Sequence, residues 1–153
     1  MAMNPLKNKI NNDVKDALKS GDALTRSVLG MLKSGIQNKE IEKRKKEEGL
    51  TEEETREVIR SEVKKRVDAS AAFKAGGDEA RAAGEEAEAA ILKKYLPPEA
   101  TVAEIKTAVE KVFGVVGSKS KSDFGRIMGL VIKELQGRAD GAKVKQILES
   151  MLE

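Results

Sequence analysis

From Leu6 to Leu152 the apolar residues of this chain recur three or four positions apart, and nowhere do they alternate over the length of a strand. That spacing gives each segment one apolar stripe on a helix, and such stripes are buried by packing helix on helix. The stripes carry almost no large rings: aromatic residues are 3% of the chain against 39% hydrophobic overall. The core must therefore be assembled from Leu, Ile, Val, Met and Ala. Charged residues, at 36%, fill the remaining helix faces, where i,i+4 pairs and water satisfy them.

Helix boundaries are well marked. Asn4 before Pro5 opens a first helix with Leu6, Ile10, Val14 and Ala17/Leu18 on its inner face, closed by Ser20-Gly21-Asp22. Leu24, Val28, Met31/Leu32 and Ile36 stripe a second helix. After Asn38 the pattern thins, so the charged run to Glu48 is expected to project into water and fray. Thr51 and Glu54 form a capping box for a third helix with Ile59, Val63, Val67, Ser70/Ala71 and Phe73 facing inward. Gly76-Gly77-Asp78 turns the chain into an Ala-rich fourth helix, with Ala80, Ala83/Gly84, Ala87, Ile91 and Tyr95 at core spacing. Short connections favour an antiparallel four-helix bundle.

Leu96-Pro97-Pro98 ends it, because neither proline can continue a helix. A domain boundary is expected there, between residues 1–96 and 97–153. Thr101 and Glu104 open a fifth helix to about Phe113, followed by a loop over 114–122. Ser122 or Asp123 caps a sixth helix carrying Phe124, Ile127/Met128, Val131 and Leu135. After the turn at 137–141, Val144, Ile147/Leu148 and Met151/Leu152 mark a seventh. The predicted fold is all-α: a four-helix antiparallel bundle, then a three-helix domain of marginal size.

The chain has no Cys and no His. Zinc sites built on thiolate or imidazole, cysteine nucleophiles, disulfides and histidine acid–base chemistry are excluded. No catalytic residue, metal ligand or cofactor site is expected. The opening MAMNPLKNKI has no apolar core, and no stretch approaches the roughly 18 apolar residues of a membrane span. No membrane partner is expected, and the location expected is cytoplasmic.

Two clusters have plain structural readings. Glu52-Glu53-Glu54 lies in a first helical turn, where carboxylates complement the helix dipole. Lys43-Arg44-Lys45-Lys46 is flanked by acids and reads as a solvated helix end. Gly114 to Ser120 fails as a phosphate loop, since the glycine spacing is wrong and no strand precedes it. Gly114-Val-Val-Gly117 has the GxxG spacing of KH domains but not the sheet they need.

The net charge is only +3, but between Gly117 and Lys145 seven basic residues face three acidic ones, a local excess of four positive charges. Gly125 and Gly129 stand four apart on one helix there, each costing about 1 kcal/mol relative to Ala in an exposed helix interior. Either another helix or a phosphate backbone must come close, and the residues by themselves favour helix packing. Phe113 and Phe124 fall on core faces, so any nucleic acid would be held by its backbone and shape rather than by stacking on bases.

Ser122–Gly129 (SDFGRIMG) followed by Gly137–Gly141 (GRADG) resembles the signature of the GatB/YqeY family. Met31–Asn38 (MLKSGIQN), Glu40-Ile41, Lys65-Arg66, Asp68, Phe73, Glu85, Glu88, Leu92, Tyr95-Leu96-Pro97 and Val116-Gly117 match it in order, nearest to the stand-alone YqeY-like proteins. The Ala-rich middle and the doubled proline depart from it. The resemblance implies a helical bundle joined to a small three-helix domain, the module that forms the tail of the B subunit of glutamine-dependent tRNA amidotransferase. In that enzyme the tail helps engage tRNA, and the chemistry belongs to parts this sequence does not contain. The implied function is a non-catalytic accessory module bound to tRNA or other structured RNA, or to a protein partner in aminoacyl-tRNA metabolism. Carbon–nitrogen ligase activity is associated by family only. In that role Lys119, Lys121, Arg126, Arg138 and Lys143 would contact phosphate, with Gly125, Gly129 and Gly137 permitting close approach. The alternative is a helical protein–protein adaptor, and a weaker one a helix-turn-helix-like DNA binder, for which the last helix offers only Lys143 and Lys145.

Overall fold

The computed structural model describes residues 4–153, and among them the secondary structure is helical throughout, with no strand. The elements are α1 (Pro5–Ser20), α2 (Ala23–Glu42), α3 (Glu52–Ala75), α4 (Glu79–Lys93), α5 (Val102–Val116), α6 (Phe124–Glu134) and α7 (Gly141–Met151), with a 3-10 turn at Lys121–Asp123. Internal contacts divide the chain into two compact units between Leu96 and Pro97.

In the N-terminal unit Asn4 does two jobs. Its side-chain oxygen accepts from the Lys7 N–H at 3.2 Å, capping α1, while its amide nitrogen donates to Leu50 O and Thr55 Oγ1. Thr51 and Glu54 complete a reciprocal capping box on α3. Leu6, Ile10, Val28, Leu29, Leu32, Ile36, Leu50, Val58, Ile59 and Leu92 form the buried core. The pairing of α3 with α4 is the most extensive, and it is polar. Arg66, almost fully buried, donates to Glu62 Oε2 at 2.9 Å and Glu88 Oε2 at 3.2 Å, while Ser70 donates to Glu86 at 3.0 Å.

Several inward assignments are overturned here. Leu18, Leu24, Met31 and Val67 are between 45% and 61% exposed, and Ala71 lies at the surface. In α4 the buried alanines are Ala82 and Ala89, whereas Ala80, Ala83, Gly84 and Ala87 face water. Because α4 is apolar or small over much of its circumference, spacing alone did not fix its rotation. The ion pairs to α3, through Glu86 and Glu88, turn it. The end of α2 does not fray either: Glu40 is buried and paired with Lys7 at 2.9 Å, and Lys43 and Lys45 both bind Glu54.

The C-terminal unit buries Ala100, Ile105, Ala108, Val109, Val112, Phe113, Ile127, Val131, Leu135, Val144 and Leu148. α5 continues through Gly114-Val-Val to a left-handed Gly117 (φ 73°), so the loop is shorter than predicted. Thr101 caps Glu104 N at 3.1 Å, but the Glu104 carboxylate turns away to Arg138 instead of closing the box.

Candidate nucleic-acid interface

The segment between α5 and α6 is ordered by its own serines. Ser118 Oγ donates to Asp123 at 2.6 Å and accepts from the Ser120 N–H, while Ser120 Oγ accepts from the Ser122 N–H. Asp123 is thereby drawn back to Ser118 and makes no side-chain cap on α6. The Glu153 N–H donates to Lys119 O at 2.8 Å, pinning the other side of the loop. The Lys119 ammonium lies 5.7 Å from the centre of the buried Phe113 ring, a cation–π contact. Lys121 stands exposed beside it.

α6 buries Ile127 and Val131, with Leu135 just beyond its end. At 3.6 residues per turn, the opposite face carries Gly125 and Gly129 along its middle, Arg126 and Lys133 on one edge, and Ile132 on the other. A Cβ added at either glycine would meet nothing within 4 Å. Another helix of the C-terminal unit therefore does not explain these glycines, and the packing within the domain favoured from sequence is overturned. What they leave is bare backbone in water, flanked by cations. Among the described residues Lys121, Arg126, Lys133 and Lys143 form no ion pair, whereas the nearby Glu134 is already bound to Lys111 at 2.6 Å.

The remaining candidates sit differently. Arg138 is a structural clamp: its guanidinium donates to Glu104 at 2.6 Å and Pro98 O at 3.0 Å, and its own carbonyl accepts from the Ala100 N–H. Gly137 is left-handed (φ 73°), following Gln136 at φ 51°; it makes the turn out of α6 rather than baring a helix face. On α7, Lys143 and Lys145 lie on opposite flanks of the buried Val144–Leu148 stripe. Lys133 was missing from the predicted set; its seven-residue step from Arg126 places it on the same edge.

Residues 7–152 match the family model described as Yqey-like protein. The chain belongs to the Yqey-like family. No curated protein matches it. The match spans both units of this Yqey-like chain and so includes the bared face of α6. Among the described residues no helix is long and apolar enough to cross a membrane, and no group of three or more acidic side chains is placed to hold a metal ion. A depression in the N-terminal unit is lined by Asp13, Asp16, Asp22, Lys94 and Tyr95. Its Tyr95 hydroxyl donates to Asp13, and burial together with that carboxylate holds the phenol protonated far above its usual range, as a packing strut.

Proposed function

We propose that this Yqey-like protein is a non-catalytic cytoplasmic accessory module of aminoacyl-tRNA metabolism. It holds tRNA or another structured RNA against α6 and the loop before it. The observation that supports this reading is the pairing of open glycines, Gly125 and Gly129, with the unpaired cations Arg126 and Lys133. A polyanion gains from unneutralised charge and from close approach to uncovered backbone, and this face offers both. Lys121 extends the same charge into the loop, while Arg138 serves the fold.

The test is titration of tRNA at several salt concentrations onto the wild type and onto Lys121→Glu/Arg126→Glu/Lys133→Glu. Removing three phosphate contacts should flatten the log–log salt slope by about 2 to 3 and weaken binding throughout. Unchanged affinity in the triple variant would remove the proposal.

A protein-adaptor reading has its own support in the uncharged outer face of α2, where Leu24 and Met31 are each 45% exposed, and in the exposed small residues of α4. Recovery of one defined protein after nuclease treatment, with no tRNA binding, would favour it.

A further inference from the structure

We infer that the α6 face takes the minor groove of double-stranded, A-form RNA, touching phosphates and ribose 2′-hydroxyls rather than bases; this rests on the RNA-binding reading above. Recognition of unpaired RNA depends on stacking splayed bases on exposed rings. The C-terminal unit offers none: Phe113 is buried, and Phe124 packs half-buried against the core. With no ring to stack on, this face suits an occupant that presents its backbone.

The bared face suits one groove in particular. Arg126 and Lys133 are seven residues apart, roughly 10.5 Å along the helix axis, and on one edge, so both can meet the phosphates of one strand. Between that edge and Ile132, Gly129 puts no Cβ over the turn before it, where the Gly125 carbonyl lies, and a carbonyl already bonded in the helix keeps a second lone pair. A ribose 2′-hydroxyl is a donor of the right kind, and the wide, shallow minor groove of A-form RNA displays these hydroxyls in rows. The minor groove of B-form DNA is only about 6 Å wide, too narrow for a helix about 10 Å across, and it has no 2′-hydroxyl to donate.

The experiment uses the full chain with a labelled RNA duplex of about 16 base pairs, competed by one of its strands, by the DNA duplex of the same sequence, and by tRNA. The duplex RNA is expected to bind about tenfold tighter than either the single strand or the DNA. Gly129→Ala, which caps the open carbonyl without a clash, is expected to weaken duplex RNA binding about threefold to tenfold, the loss of one hydrogen bond. Gly84→Ala, equally open but on α4, is expected to leave it unchanged. Equal affinity for single strand and duplex, or a Gly129→Ala protein that binds as the wild type does, overturns the inference. Binding of tRNA without preference for the duplex overturns it and leaves the RNA-binding reading standing. No binding of any RNA overturns both.

Discussion

Replacing Gly129 with Ala should make the protein more stable. Gly129 lies in the interior of α6, at least four residues from either end, where Gly costs about 1 kcal/mol relative to Ala. The added methyl would meet nothing within 4 Å, so no overpacking offsets the gain, and Gly129 has no positive φ that Ala would strain. In a unit as small as the C-terminal one, about 1 kcal/mol raises the midpoint of thermal unfolding by roughly 4–8 °C. Gly125 sits in the first turn, where propensity counts for less, so Gly125→Ala should gain less. Thermal unfolding followed by circular dichroism, with amide exchange in α6 to assign the transition, measures both. A Gly129→Ala protein that is less stable than the wild type would show that this face is packed against something, and the argument for bare backbone would fail. A gain accompanied by weaker RNA binding is the signature of a residue kept at a cost to the fold.

Arg138→Ala should lose about 1 kcal/mol from the C-terminal unit, a modest figure because the Glu104 pair is partly exposed; a double-mutant cycle with Glu104→Gln should be clearly non-additive, and additivity would deny the clamp. Arg66→Ala strands the Glu88 carboxylate in the seam between α3 and α4, leaves Glu62 with only the exposed Lys65 as partner, and should cost about 3 kcal/mol by urea unfolding. Glu54 is held far below the ordinary carboxylate range, first by the Lys43 ammonium, then by Lys45 and the Thr51 N–H. Its folded pKa is thus the lower one. The stability it lends is complete above the unfolded carboxylate value of about 4.3 and drains away as pH falls below that. Glu54→Gln should therefore reduce stability at neutral pH and flatten the acid limb, and parallel pH profiles for the two proteins would contradict this.

Helix positions were legible in the sequence because caps and stops act locally. Asn4-Pro5, the left-handed Gly21, Thr51 with Glu54 and the Gly76-Gly77-Asp78 turn each satisfy or release backbone groups within a few residues of themselves. The break at Pro97-Pro98 was equally local, since proline lacks a donor and restricts its neighbour. The rotation of each helix was not local. In α4, with small residues on nearly every side, it took Arg66, Ser70 and Lys74 of α3 to decide which alanines went inside. The fate of each charge was likewise tertiary. Arg138 and Arg126 read alike in a stretch of basic residues, yet Glu104, thirty-four positions before Arg138, makes one a clamp while the other stays unpaired. Sequence alone established that the chain is helical, where it bends and that charge gathers near its end. Only the tertiary structure decided which cations are already spent and that Gly125 and Gly129 lie open, because both depend on partners distant along the chain.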